Sequence, residues 1–172
     1  MIDPLPELPK PEFGVVRLAA PPEVADGVAG ALREAGVLRG LTRYEYRALA
    51  ETELLEGRGS SGLVAFGRSG LLGRICVDVA TGEVVHVPKA ESARVTHVNA
   101  DLQTFTRCVS AVIARFPFYR EDEGAERFER VADELRGLIA GVDETALTHD
   151  GFWDGLCEDV ALGDYADWGR DG

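Results

Sequence analysis

Long hydrophobic runs are missing from this 172-residue sequence. No stretch approaches the roughly 18 apolar residues that a bilayer crossing requires, so the sequence offers no membrane span. The opening, MIDPLPELPK, has no positive cluster followed by an apolar core. It is not read as a secretory leader, and the expected location is the cytoplasm. Cysteine is scarce: Cys76, Cys108 and Cys157, with no CxxC pair among them. An odd, widely spaced set excludes a disulfide framework or a zinc knuckle, and each cysteine sits in an apolar stretch that predicts a buried thiol. Basic residues are outnumbered, 18 against 30 acidic, for a net charge of −12. That balance repels nucleic-acid phosphates and anionic membranes, so neither is an expected partner. The motifs of the commoner enzymes are absent too. There is no GxGxxG, P-loop, HExxH or GxSxG, and neither half of the zinc-deaminase signature. No set of residues fills the roles of nucleophile, base and oxyanion stabiliser. The expectation is a protein without catalysis, cofactor or metal. His86 and His97 could meet across a fold and share a metal with a carboxylate, but their spacing does not demand it, and the preferred reading is ordinary hydrogen-bonded histidine.

What is present is unevenly distributed. Residues 1–120 hold 14 acidic and 14 basic side chains, whereas residues 121–172 hold 16 and 4. The whole negative balance therefore lies in the last third, a segment that attracts basic partners. Prolines crowd the other end: six of the eight fall within the first 22 residues. We read 1–20 as a proline-rich arm ahead of a single domain over 21–172, with Phe13, Val15, Val16 and Leu18 forming a short strand after the prolines.

Within that domain the hydrophobic period changes twice. Pro21 and Pro22 open a helix with a Val24, Val28, Leu32 stripe, stopped at Gly36. The stretch LTRYEYRALAETELL predicts further, partly helical structure. From Leu63 the period becomes two, through Ile75, Val77 and Val79, and Gly82 supplies the turn of a hairpin ending at Pro88 and Lys89. This predicts an antiparallel sheet of at least three strands. After Val98 the period is helical to the end. Asn99 is read as the cap of a helix carrying Leu102, Phe105, Val109 and Val112 that ends before Pro117. A second helix runs to a stop at Gly141, and Asp150 is read as the cap of a third, with Trp153, Leu156 and Val160 inward. The order is helix, sheet, helices: an α+β fold with a mainly antiparallel sheet packed between N- and C-terminal helices.

The candidate binding residues are the acidic ones and two aromatics. Glu121, Asp122, Glu123, Asp154, Glu158, Asp159, Asp164 and Asp167 are expected to face a partner, with Tyr165 and Trp168 as its aromatic anchors. Asp154 and Glu158 are four apart on one helix and share a side away from the apolar stripe. The competing reading is a solvated face that only aids solubility.

Three stretches carry a family resemblance: ICVDVATGEVVHV, VNADLQTFTRCVSAVIARFPFY and DGFWDGLCEDVALG. Their order and spacing resemble the SUKH superfamily, the Syd and Suppressor-of-fused-related group, and within it the fourth family of bacterial immunity proteins. The matching positions are Ile75, Asp78, Thr81, Gly82 and Val84, then Val98, Asn99, Leu102 and Phe105, then Phe152 and Trp153. The resemblance implies a strongly twisted sheet packed on helices and a protein that neutralises a polymorphic toxin. Toxins linked to this superfamily are often nucleases or nucleic-acid deaminases, so the implied partner is a basic protein toxin domain. An acidic protein can fill a basic cleft and exclude its substrate. A regulatory or scaffold module of the same fold, or a small enzyme whose site assembles only in three dimensions, are the alternatives. Oligomeric state is left open.

Overall fold

The structure, a computed structural model, describes residues 12–22, 24, 26–41, 45–55, 62–89, 94–120, 122–148 and 150–165. Seven strands form one antiparallel sheet: β1 (Glu12–Val16), β2 (Val37–Gly40), β3 (Arg47–Leu55), β4 (Leu63–Ser69), β5 (Gly73–Asp78), β6 (Val84–Val87) and β7 (Thr96–Asn99). They lie side by side in chain order. A short helix, α1 (Asp26–Gly30), continues as a π-helical turn (Ala31–Ala35) between β1 and β2. Three longer helices follow the sheet: α2 (Leu102–Ala114), α3 (Ala125–Val142) and α4 (Phe152–Leu162). The α+β expectation holds. The first strand and the buried Leu18 fall within the stretch read as an arm, and both belong to the sheet and its core.

Alternation along the strands sorts side chains onto two faces. On the helix-covered face, Phe66, Ile75, Val77, Val84 and Val98 meet Leu102, Phe105, Val109 and Val112 of α2, Val131 and Leu135 of α3, and Trp153 and Leu156 of α4. Phe105 is the hub, with ring centroids 5.1 Å from Tyr46, 5.5 Å from Phe66 and 6.1 Å from Trp153. On the other face, Leu63, Ala65, Cys76, Val85 and Val87 pack with Leu49 and Leu55. Gly67 makes room for Tyr46: a Cβ there would stand 2.3 Å from Tyr46 Cε2. All three cysteines are buried, and burial pushes the Cys76 and Cys157 thiols up to about 12 and Cys108 up to about 11.

Several local expectations need correction. The partly helical segment is strand β3, because ladder bonds to β2 and β4 override the helix preference of its Ala, Glu and Leu residues. The sheet does not end at Lys89: β7 follows and pairs with β6. Asn99 does not cap α2. Asp101 does: its side chain accepts from Thr104 N at 2.7 Å, and Thr104 Oγ1 accepts from Asp101 N at 3.2 Å, a reciprocal capping box. The α4 cap is Gly151 rather than Asp150, whose φ of 56° places it in a turn before the helix. The α3 helix runs one residue past Gly141, to Val142. Gly36 and Gly82 adopt the positive φ expected of them, 71° and 76°.

Candidate functional site

A chain of hydrogen bonds runs from the surface into the core where β7 meets the α3–α4 loop. Glu83, in the β5–β6 turn, pairs with His97 Nδ1. His97 Nε2 lies 2.8 Å from Thr145 Oγ1, which donates to Asp143 Oδ1 at 2.6 Å. Asp143 Oδ2 accepts from Asn99 Nδ2 at 2.9 Å and from Ala100 N at 2.8 Å. Asn99 Oδ1 in turn accepts from Trp153 Nε1 at 2.8 Å. Asn99 is fully buried, and its side chain ties β7, the loop and α4 together. Burial pushes the Asp143 carboxyl upward, but hydrogen bonds from Thr145, Ala100 and Asn99 outweigh it and hold the group at about 2.

Glu83, His97 and Thr145 have the outline of an acid, a base and a nucleophile. The protons run the wrong way for that chemistry. An ionised Asp143 only accepts, and the single hydroxyl proton of Thr145 is given to Asp143 Oδ1 rather than to His97. A hydroxyl whose proton is held by Asp143 does not present that proton to the histidine that would have to remove it. His86 and His97 do not converge either. His86 is in register with Thr96 and His97 with Val85, so the two rings leave adjacent strands on opposite faces. Among the described residues no group of three His, Cys, Asp or Glu could hold a metal ion. A groove of about 490 Å³ lies between α1 and the start of α2, lined by Val28, Ala31, Leu102 and Thr106 among others. Its one carboxylate, Asp101, is occupied in capping α2.

The acidic candidates divide by location. Glu121, Asp167 and Trp168 lie outside the described residues. Asp122 and Glu123 are engaged locally: Asp122 Oδ1 is 3.2 Å from Arg120 Nε, and Glu123 accepts from Arg120 N at 2.7 Å. The α3 carboxylates meet arginines: Glu134 pairs with Arg115 at the end of α2 at 2.8 Å, and Asp133 with Arg136 at 3.0 Å. The α4 region differs. From residue 137 to 169 there is no lysine or arginine, and Asp150, Asp154, Glu158, Asp159 and Asp164 fall on or beside α4. Asp154 Oδ2 accepts from Asp150 N at 3.1 Å, bracing the helix start. Glu158 and Asp164 are exposed and Asp159 is half-buried.

Tyr165 is not an exposed anchor. Gly163, at φ 86°, turns the chain back after α4 and delivers Tyr165 into the core, 1% exposed. Its ring meets Phe118 edge-on at 5.2 Å, and its hydroxyl donates to Glu45, just ahead of β3.

The family model described as SUKH-4 immunity protein matches residues 21–159. The chain belongs to the SUKH-4 immunity protein family. Membership carries the role of an immunity protein, whose partner is a toxin. No curated protein and no solved structure matches this chain. In this SUKH-4 protein the resembling residues are structural ones: Phe105 and Trp153 build the aromatic core, and Asn99 and Trp153 share a hydrogen bond there. No helix among the described residues is long and apolar enough to cross a membrane. Sequence reasoning missed a feature on the sheet. Leu71 and Leu72, at the tip of the β4–β5 hairpin, are 82% and 54% exposed. No period in the sequence around Gly70 showed that two leucines would be left in solvent there.

Proposed function

We propose that this SUKH-4 protein neutralises a nuclease or nucleic-acid deaminase toxin in the cytoplasm by binding alone, without catalysis. The observation that carries the reading is the α4 segment, in which the carboxylates around Asp154, Glu158, Asp159 and Asp164 have no basic residue in sequence between 137 and 169. Enzymes that act on nucleic acid present basic clefts to the phosphate backbone. A negative surface is steered to such a cleft by long-range attraction and occupies the place of the substrate. The Thr145 hydroxyl proton, held by Asp143 rather than by His97, supports a non-catalytic role.

The test begins by identifying the toxin, through a pull-down from the native strain. Association with the purified toxin domain is then measured at low and high salt. Wild type should associate at least about tenfold faster at low salt. Asp154→Lys with Glu158→Lys should slow association and flatten the salt dependence, with little change in dissociation. Equal rates at both salt concentrations, for wild type and variant alike, would remove α4 as the steering surface. Substrate turnover by the purified immunity protein would refute the non-catalytic role.

A further inference from the structure

We infer that the groove between α1 and α2 seats an apolar side chain of the toxin, with Gln103 and Arg107 on its rim holding a neighbouring carboxylate. The inference rests on the toxin-binding reading above. To the steering charge of α4 it adds a contact that holds the complex once it has formed.

The groove has a volume of about 490 Å³, within the range of clefts that take a ligand. Val28 and Ala31 line it from the α1 side and Leu102 from α2, all at the margin of the main core. A Cβ at Gly27 or Gly82, which also line it, would meet nothing within 4 Å, so the space beside both is open. Four polar side chains complete the lining, and they divide into two pairs. Asp101 is engaged as the cap of α2, and Thr106 donates its hydroxyl to Leu102 O at 3.0 Å. Gln103 and Arg107 are exposed, and neither makes a hydrogen bond or an ion pair among the described residues. They stand four apart on α2 and so share a side of the helix. An amide and a guanidinium together present donors to a carboxylate, and the guanidinium fork can meet both of its oxygens. An apolar cleft with these donors on its rim matches an apolar side chain that has an acidic neighbour.

Charge and position select the occupant. A second copy of the chain would bring its own −12, and an anionic lipid surface is repelled in the same way. A basic toxin domain is attracted as a whole and needs only one local carboxylate to meet Arg107. The groove also adjoins α4. Helices α2 and α4 both start beside Asn99: Asp101 and Leu102 follow it in the chain, and its side chain accepts from Trp153 in the first turn of α4. A second link runs through Gly82. Its neighbour Glu83 pairs with His97, which is 2.8 Å from Thr145 in the loop that leads to α4. One partner can therefore reach the groove and the α4 turn that carries Asp154.

The experiment uses the full chain and the purified toxin domain. Gly27→Leu fills the groove from a position where a side chain meets open space, and Arg107→Glu reverses the charge of the rim. Each is compared with wild type for dissociation rate and melting temperature. We expect Gly27→Leu to dissociate at least about tenfold faster. Its melting temperature should stay level or rise, since leucine replaces a helical glycine. Arg107→Glu should also dissociate about tenfold faster, with its melting temperature unchanged. A folded Gly27→Leu that dissociates at the wild-type rate overturns this inference and leaves the toxin-binding reading standing. A wild type that fails to bind overturns both. Should Gly27→Leu unfold, Arg107→Glu decides alone, and a wild-type rate from it overturns the inference. Dodecanoate, an apolar chain ending in a carboxylate, probes for a small-molecule occupant. If it raises the melting temperature of wild type but not of Gly27→Leu, while both variants release the toxin at the wild-type rate, the groove belongs to a small apolar acid and the inference falls.

Discussion

At the scale of the residue, Asn99 carries the largest difference between pattern and structure. It has the chemistry of a helix cap and sits just before a helical run, yet it is fully buried with three partners: Asp143, Trp153 and Cys108. Losing a cap costs about 1 kcal/mol. Asn99→Ala instead removes the acceptor of Trp153 Nε1 and one donor to a buried carboxylate, so the expected loss is about 3 kcal/mol, read from urea denaturation. Affinity of the folded remainder for the toxin should be unchanged. Asp143 adds a pH signature. Its carboxyl is held at about 2, below the ordinary 3.8, so it binds its proton more weakly in the folded state than in the unfolded one. The stability it contributes is complete above the unfolded value and is lost as pH falls from about 4 through 2. The size is on the order of 2 kcal/mol. Urea midpoints measured from pH 5 to pH 2 should fall steeply for wild type and less so for Asp143→Asn. Parallel curves would show that other carboxylates dominate. Cys108 is nine positions from Asn99, but Asp143 is 44 away and Trp153 is 54, which is why the network is illegible in the sequence.

At the scale of the element, the three long helices were legible because a sustained stripe such as Leu102, Phe105, Val109 and Val112 has few alternative explanations. Strand β3 was not. Its RALAETELL composition favours a helix, and only pairing to β2 and β4 makes it extended. Strand β7 is four residues, THVN, too short to show a period. Helix starts were blurred by two positions, since Asn99 and Asp101 both have the chemistry of a cap and only the Asp101–Thr104 exchange decides between them. Asp101→Ala is therefore the change that should cost about 1 kcal/mol through the cap alone. It should lower the melting temperature by a few degrees. A loss as large as that of Asn99→Ala would mean that Asp101 does more than cap.

At the scale of the whole molecule, the sequence made the charge division legible but not its compensation. The −12 of the last third is partly neutralised along α3 by Arg115, Arg127 and Arg136, and from 137 to 169 the sequence itself supplies no lysine or arginine. Counting charges along a chain cannot show which carboxylates meet an arginine from another element. The burial of Tyr165 was hidden for the same reason, because its partners Phe118 and Glu45 come from elsewhere in the chain. The three buried thiols report on the fold as a unit. Their raised pKa values leave little thiolate at neutral pH, and they are closed off from solvent. The folded protein should resist a disulfide reagent such as dithionitrobenzoate, and all three thiols should react in denaturant. Rapid labelling of one thiol in native buffer would reveal a region that opens independently of the rest.

The strand order also bears on how the protein is born. Each strand from β2 onward lies beside its predecessor in the chain, so during synthesis every new strand emerges next to the one it pairs with. The helices that cover the sheet come last, after residue 102, and the bond from Tyr165 to Glu45 closes the molecule across 120 residues. Until then the apolar face of a finished sheet stands open on the ribosome, a surface that invites chaperones and aggregation. An immunity protein protects only once it is whole. The interval in which a cell is unguarded thus ends when the last helix and Tyr165 are delivered, rather than when the sheet is complete.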